Sequence, residues 1–273
     1  MSYALLMADP IIDRRSRTDR RNPAVQGLGS ALRRAIENDS IDILFQAQFA
    51  CADDTIAGAE ALVRWPFGGH HPVSGDTLFE IARQTDLAEV LASYVYRKAM
   101  TAALNWPEDL RLSLNVTAHD LADTAFAKAL FEDLEATGFP ADRLTLEITE
   151  QALVPELDRA AVLLRVLADE GIAVALDDFG AGFCNFRYLK VLPLDALKLD
   201  RSMVQGIVDE PTDLAVLQGI VAMAEALELK VIAEGVETDA QRDAVRRERC
   251  DRWQGFLGAK PMSADAFDSL LKG

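Results

Sequence analysis

The sequence predicts an α/β protein, and more specifically a (β/α)8 barrel of the TIM type. Short runs rich in Val, Ile, Leu and Ala alternate with longer stretches of helical spacing, which gives about seven or eight βα units. Most of these runs are apolar throughout, as is typical of parallel strands covered on both faces. The length of 273 residues suits a barrel that folds as one domain. A doubly wound open sheet is the alternative architecture.

The elements follow one another regularly after an N-terminal stretch without strand or helix pattern. Residues 1–24 are expected to be a linker or disordered tail because residues 13–23 are too polar to pack a core, which leaves residues 25–273 as the barrel domain. Strands are predicted over 44–49, 57–63, 110–116, 144–149, 172–176, 196–199, 230–233 and 252–257. Helices are predicted over 25–38, 76–104, 125–136, 157–169 and 213–227, and two more begin at Thr238, with Gln241 completing a capping box, and at Ser263.

One pair of strands departs from the parallel pattern. The runs 44–49 and 57–63 are separated by the turn residues Asp53 and Asp54, so they could form a hairpin. One strand of the barrel would then be antiparallel to its neighbours.

The composition excludes several classes of partner. The sequence has 28 Lys and Arg against 44 Asp and Glu, a formal net charge of −16, so nucleic-acid polymers and anionic membranes would be repelled. No uninterrupted apolar stretch reaches the roughly 18 residues of a membrane span. Cys51, Cys184 and Cys250 lie far apart, which argues against disulfides or structural zinc and favours a reducing, cytoplasmic setting.

Six of the apolar runs end at a polar residue that can do chemistry. The carboxyl ends of barrel strands open on one face, so these side chains are expected to meet in one pocket. Two carboxylates about 4 Å apart repel by roughly 4 kcal/mol at an effective dielectric constant of about 20, so such a cluster must take up protons or bind metal. The residues are Glu60, Asn115, Glu147, Asp177, Asp178, Lys198 and Glu234.

Oxygen ligands without His or Cys indicate Mg²⁺ or Mn²⁺, and two such ions can clamp the reacting oxygens of a phosphate ester. Phosphodiester hydrolysis is therefore the expected reaction class. Neighbouring residues on a regular strand point to opposite faces, so we expect Gly180 and Gly182 to break the pleat beside Asp177 and Asp178. The alternative, that each carboxylate merely ends its strand, is weakened by the cost of burying an unpaired charge within an apolar run.

Eight segments between about residues 40 and 262 carry these residues in a fixed order. They are Phe45-Gln46, Glu60-Ala61-Leu62-Val63-Arg64-Trp65, Leu114-Asn115-Val116, Glu147-Ile148-Thr149-Glu150, Asp177-Asp178-Phe179-Gly180, Lys198-Leu199-Asp200, Ala233-Glu234-Gly235-Val236-Glu237 and Gln254-Gly255-Phe256. At these segments the chain resembles the EAL-domain phosphodiesterases, named for Glu60-Ala61-Leu62, which hydrolyse the bacterial second messenger cyclic di-GMP to a linear dinucleotide.

The resemblance implies a role for each matching residue. Two Mg²⁺ or Mn²⁺ ions would be held by Glu60, Asn115, Glu147, Asp177 and Asp178, with Asp177 bridging the two ions. Lys198 and Glu234 would position and deprotonate the attacking water, and Glu150 would anchor the loop after Asp178. Arg64 would meet a substrate phosphate, and the nucleotide site would be lined by Gln46, Leu62, Asp200, Glu237 and Gln254. The resemblance also implies a homodimer, and the composition of the first 40 residues suggests an upstream GGDEF or sensory domain.

The chain departs from the family pattern near the site. Ala181 replaces a Thr and Cys184-Asn185 replaces Ser-Ser in the loop after Asp178, which is expected to affect the rate more than the reaction. Ala47-Gln48 replaces Pro-Ile and Gly75 replaces a Pro; these changes are expected to alter nucleotide binding without touching the metal ligands.

Two other functions compete with the hydrolase. The first is a catalytically weak or silent cyclic di-GMP receptor that signals through a partner, and the second is an unrelated barrel enzyme with another phosphorylated substrate. Retention of the metal ligands together with Lys198 and Glu234 favours the hydrolase over the receptor.

Overall fold

The computed structural model describes residues 23–67, 72–153, 157–182 and 186–272, and a closed barrel lies at its centre. The strands are β1 (Asp42–Ala50), β2 (Ile56–Arg64), β3 (Arg111–Val116), β4 (Leu144–Thr149), β5 (Ala173–Phe179), β6 (Ala196–Leu199), β7 (Lys230–Ala233), β8 (Arg252–Gln254) and β9 (Met262–Ser263). Strands β2 to β8 pair in sequence order and are parallel. Strand β1 closes the ring by pairing antiparallel with both β2 and β8, and β9 adds to β1. The predicted barrel with one antiparallel strand is confirmed, and the open sheet is wrong.

Helices surround the barrel on its outer side. They are α1 (Pro23–Glu37), α2 (Gly75–Gln84), α3 (Ala88–Ala103), α4 (Ala118–Ala122), α5 (Phe126–Thr137), α6 (Glu150–Leu153), α7 (Leu157–Asp169), α8 (Arg187–Val191), α9 (Arg201–Gln205), α10 (Pro211–Ala226), α11 (Asp239–Arg247) and α12 (Ala264–Leu270). The capping box of Thr238 and Gln241 at α11 and the Ser263 cap at α12 both form as predicted. No helix in the described ranges has the length and apolar character that crossing a bilayer requires.

Several element boundaries differ from the sequence-based prediction. The single helix expected over 76–104 is two helices, because Asp86 adopts a left-handed backbone (φ 55°) that an α-helix cannot contain. The strand expected over 252–257 ends at Gln254. The N-terminal tail lies almost entirely outside the described residues, and α1 begins at Pro23, a favourable first position for proline.

The barrel interior is polar towards the carboxyl ends of its strands. Successive strand residues point to opposite faces, so the inward face of each strand is set by the ladder register. The register pairs Gln46 with Glu60 across β1 and β2, and Asn115 with Glu147 across β3 and β4. A small apolar cluster of Ala175, Ala196 and Ile232 has the same strand parity as the polar inner residues and is separate from the large core between barrel and helices. The fold thus directs polar residues from distant segments to one place.

An aromatic cluster joins the first barrel strand to the last helix. Phe45 on β1 is fully buried, and its ring centroid lies 5.1 Å from that of Trp106 and 6.0 Å from that of Phe267 on α12. The Trp106 and Phe267 centroids are 4.6 Å apart. The first barrel strand and the last helix are therefore packed together through these three rings.

Phe45→Ala should lower the free energy of unfolding by about 3–5 kcal/mol, because it removes a buried ring and leaves a cavity. Urea denaturation followed by circular dichroism measures this difference. Val162→Ala is the control, because Val162 is 60% exposed and its truncation should change stability by no more than about 0.5 kcal/mol. A loss below about 1 kcal/mol for Phe45→Ala would contradict the role of this cluster in holding the domain together.

Candidate active site

A cavity of about 770 Å³ opens at the carboxyl ends of β2, β3 and β5. Of the residues predicted from sequence, it is lined by Glu60, Leu62, Arg64, Asn115, Asp177 and Asp178. The size lies within the range of small-molecule sites, and its location is where barrel enzymes bind their substrates.

The ammonium group of Lys198 lies at the centre of the predicted acidic cluster. Its Nζ is 2.5 Å from Oε2 of Glu147, 2.8 Å from Oε1 of Glu234, 3.1 Å from Oδ1 of Asp177 and 3.7 Å from Oε2 of Glu60. Lys198 is 1% exposed, so water cannot screen these charges. One cation against four carboxylates leaves a net charge of −3 when all groups are ionised.

The environment shifts the pKa of Lys198 and of Glu60 towards their charged forms. Burial disfavours the ammonium of Lys198, but the surrounding carboxylates outweigh burial and raise its pKa well above the usual value. Burial also raises the pKa of Glu60, but the Lys198 charge and hydrogen bonds from Asn115 and Gln254 reverse this, so the net pKa is lowered.

Two other carboxylates of the cluster shift in the opposite direction. Burial, together with the charges of Glu60 and Asp177, raises the pKa of Glu147 well above its usual value despite the contact with Lys198. Burial is also the main reason why the pKa of Glu234 rises to about 7, since Lys198 only partly offsets it. A single ammonium cannot neutralise four carboxylates, so burial and repulsion between carboxylates keep the pKa values of Glu147 and Glu234 raised.

Neutral amide groups satisfy the carboxylate oxygens of Glu60. Asn115 Nδ2 donates to Oε1 and Gln254 Nε2 donates to Oε2, each at 2.8 Å. Gln254 Nε2 also donates to Oε1 of Gln46 at 3.2 Å, and Gln46 Nε2 donates to the Ala259 carbonyl at 3.2 Å. The predicted residues Gln46 and Gln254 therefore lie in the cluster. Gln254 contacts the Glu60 carboxylate directly, and Gln46 is linked to it through the amide of Gln254.

Two contacts in the site were not expected from the sequence. Gln48 Nε2 donates to Oε1 of Glu147 at 3.4 Å, so the Ala47-Gln48 change does contact one of the predicted metal ligands, contrary to the expectation from the sequence. The hydroxyl of the buried Tyr96 donates to the Asn115 carbonyl at 3.2 Å. Gln48 could have been found from the alternation of Phe45, Gln46, Ala47 and Gln48, whereas Tyr96 on a helix gave no such signal.

Asp177 and Asp178 occupy a break in strand β5. The ladder register between β5 and β6 shifts between Leu176 and Phe179, and Asp178 has a left-handed backbone (φ 55°). The break is therefore at Asp178 itself rather than only at Gly180, which is also left-handed (φ 96°). Asp177 is buried against Lys198, whereas Asp178 is exposed, yet both line the same cavity.

Asp200 and Glu237 lie at the edge of this arrangement and do not line the main cavity in the described structure. Asp200 caps helix α9, because its Oδ1 accepts from the backbone N–H of Ser202 at 3.0 Å. Glu237 is exposed and forms an ion pair with Arg201 at 3.0 Å. Their predicted contact with a nucleotide stays a prediction.

The remaining predicted residues are at the rim. Arg64 is half-buried and donates from Nη1 to the Val63 carbonyl at 2.8 Å. Glu150 begins α6 and lines a second cavity of about 530 Å³, which it shares with Asp178 and Ala181. Cys184 and Asn185 lie outside the described residues. The substitutions in that loop therefore stay without a structural account.

The chemistry of the donor set fits a hard divalent cation. Among the described residues no three His, Cys, Asp or Glu side chains are already arranged around a cation site, because Lys198 lies between the carboxylates. The carboxylate and amide oxygens of Glu60, Asn115, Glu147 and Asp177 are nevertheless the ligand types that Mg²⁺ and Mn²⁺ prefer. The surplus negative charge of the cluster is what a divalent cation would neutralise.

The fold and the site together define a barrel protein with an acidic pocket at the carboxyl ends of its strands. The sequence profile of the EAL domain matches residues 30–261, so the chain belongs to the EAL domain family. The chain is 36% identical over 249 residues to the cyclic di-GMP phosphodiesterase NbdA of Pseudomonas aeruginosa. That match covers 88% of this chain and 31% of NbdA, so the chain spans less than half the length of such curated relatives.

Solved structures show the same fold. The PaMucR phosphodiesterase in complex with c-di-GMP matches with a TM-score of 0.80 and 29% identity, covering 88% of this chain and 99% of that one. The EAL enzyme Bd1971, bound to cAMP and cyclic di-GMP, matches with a TM-score of 0.82 and 26% identity, covering 91% of this chain and 69% of that one. The barrel predicted from the sequence is thus the fold of this family.

Lys198→Met should lower the free energy of unfolding in metal-free buffer by about 3–5 kcal/mol, because it leaves four buried carboxylates without their cation. Urea denaturation measures the loss. Lys128→Met is the matched control, since Lys128 pairs with Glu132 on the surface and such exposed pairs contribute about 0–1 kcal/mol. If Lys198→Met were as stable as the parent protein, the carboxylates would not depend on this ammonium.

Proposed function

We propose that the protein is a metal-dependent phosphodiesterase that hydrolyses cyclic di-GMP to linear pGpG. The main support for this proposal is the buried cluster formed by Lys198 and the four carboxylates around it. A binding module has no need for so much buried, uncompensated negative charge, whereas charge stabilisation during hydrolysis of a phosphodiester requires the cations that such a cluster attracts.

The substrate is inferred from the relatives and from the cavity. NbdA is named a cyclic di-GMP phosphodiesterase, and the PaMucR phosphodiesterase was solved with c-di-GMP. The cavity beside the cluster has a volume of about 770 Å³, and Arg64 lines it together with the apolar side chain of Leu62. A guanidinium group suits a phosphate oxygen, and an apolar wall suits the face of a guanine base.

Glu60, Asn115, Glu147 and Asp177 would hold one Mg²⁺ or Mn²⁺, and Asp177 with Asp178 would hold a second. When bound, the two ions would make water more acidic and would stabilise charge on the phosphate oxygens. The left-handed backbone at Asp178 supports this assignment, because it lets two neighbouring carboxylates line the same cavity.

Glu234 is the proposed general base. Burial raises the pKa of Glu234 to about 7. A base whose pKa lies near the working pH is partly ionised and can still accept a proton from water. Lys198 contacts Oε1 of Glu234 at 2.8 Å and so fixes the carboxylate at the edge of the cluster. Lys198 would also orient the water that Glu234 deprotonates.

Wider features of the protein are proposed from the family. We expect a homodimer, a cytoplasmic setting and, beyond the chain described here, a GGDEF or sensory domain that regulates hydrolysis. Relatives such as the bifunctional diguanylate cyclase and phosphodiesterase MucR of Pseudomonas aeruginosa are much longer than this chain, which supports a modular arrangement.

Glu60→Ala should abolish hydrolysis, because it removes a ligand whose two oxygens are held by Asn115 and Gln254. The assay incubates cyclic di-GMP with the protein, with and without Mg²⁺ or Mn²⁺, and separates the linear product by chromatography. Glu225→Ala is the control, since Glu225 is an exposed residue paired with Arg249.

The parent protein should form pGpG only when the divalent cation is present, and Glu225→Ala should match it. Tight binding of cyclic di-GMP without turnover in either metal would favour the receptor over the enzyme. An unchanged rate for Glu60→Ala would remove Glu60 from the mechanism.

A further inference from the structure

Gln48 extends from strand β1 into the polar interior of the barrel. It is 1% exposed and is paired in the ladders with Gln254 on β8 and with Gly58 on β2. Gly58 adds no side chain to the inner face, and the backbone of Arg111 packs closely against it. A buried amide in this position is costly unless its polar atoms find partners.

The partner of Gln48 lies across the barrel. Its Nε2 donates to Oε1 of Glu147 on β4, and β4 is not a neighbour of β1 in the sheet. The other oxygen of Glu147 contacts Lys198 on β6. The Glu147 carboxylate therefore contacts side chains from two other strands, β1 and β6. These side-chain contacts, rather than the backbone of β4, set the plane of the carboxylate.

We infer that Gln48 is a positioning residue that holds the Glu147 carboxylate in the orientation in which it binds the divalent cation. The inference rests on the proposed function, in which Glu147 is a metal ligand. Groups that hydrogen-bond to a ligating carboxylate fix its direction, and their loss commonly weakens metal affinity by about 10–100-fold. The 3.4 Å distance from Nε2 of Gln48 to Oε1 of Glu147 is at the long end of hydrogen-bond lengths.

A purely structural role for Gln48 makes a different prediction. If the amide served only the metal-free structure, an apolar side chain of similar size would preserve metal binding but would cost stability, because Oε1 of Glu147 would lose its donor. A positioning role predicts weaker metal binding with little change in the stability of the metal-free protein. Metal affinity and metal-free stability therefore separate the two.

The test compares Gln48→Met with the parent protein by isothermal titration of Mn²⁺ into the metal-free full chain. The dissociation constant for Mn²⁺ should rise at least about tenfold, whereas the melting temperature of the metal-free protein should stay within a few degrees. The KM for cyclic di-GMP at saturating Mn²⁺ should be unchanged, because Gln48 does not line the cavity.

Gln218→Met is the matched control, since Gln218 Nε2 also donates to a glutamate carboxylate, that of Glu248 at 2.9 Å, but on the surface. It should leave Mn²⁺ affinity unchanged. Gln48→Asn serves as a second variant that keeps a polar amide in the barrel but withdraws it from Glu147, and it should weaken Mn²⁺ binding in the same way even if the Met variant fails to fold.

Parent-like Mn²⁺ affinity in Gln48→Met or Gln48→Asn would overturn the inference while leaving the proposed function intact. A parent protein that binds no Mn²⁺ at this site would instead refute the proposed function. Weakened affinity in both variants with an unchanged control would establish Gln48 as a positioning residue.

Discussion

The contact between one buried ammonium and four carboxylates is the constraint on which the rest of the structure depends. Lys198 lies in an interior that screens charge poorly, so its charge opposes protonation of Glu60, Glu147 and Glu234 but cannot neutralise all the carboxylates around it. The remaining charge is absorbed by raised pKa values at Glu147 and Glu234 and by amide hydrogen bonds to Glu60. The cluster therefore keeps surplus negative charge, which the proposed divalent cations would neutralise.

The barrel topology makes this arrangement possible. Parallel strands bring the carboxylates to one mouth, whereas the antiparallel strand β1 brings in residues of a different kind. Along β1 the inward positions carry Gln46 and Gln48, and the outward positions carry the buried residues Phe45 and Ala47. One strand thus supplies neutral donors to the acidic site on its inner face and packing against the helices on its outer face.

The sequence predicted much of the fold and of the site because each depended on local patterns. Apolar runs that reach a carboxylate identified the strands, although Glu60 lies within β2 and Glu147 within β4 rather than at their ends, and parallel strands open on only one face where such groups can meet. The position of Asp178 was harder to predict, since its left-handed backbone arises from the shift in register against β6 rather than from its own type. The left-handed backbone of Asp86, which divides a predicted helix in two, was likewise not indicated by the sequence.

The contact of Gln48 with Glu147 could not be predicted from the sequence, for a different reason. The alternation along β1 indicates which face Gln48 occupies, but a partner on a non-adjacent strand depends on the diameter and closure of the barrel, which a single sequence does not encode locally. The same is true of Gln254 and Glu60. Interactions across the barrel interior are thus the part of the site that only the three-dimensional structure provides.

The most direct test of this account is a crystal structure of the protein soaked in Mn²⁺, with the anomalous signal of manganese used to locate the ion. The account predicts a manganese peak at a ligand distance of about 2 Å from oxygens of Glu60, Glu147 and Asp177, with Lys198 Nζ displaced from its present position. Manganese bound only to surface carboxylates, with Lys198 still between these three residues, would contradict it.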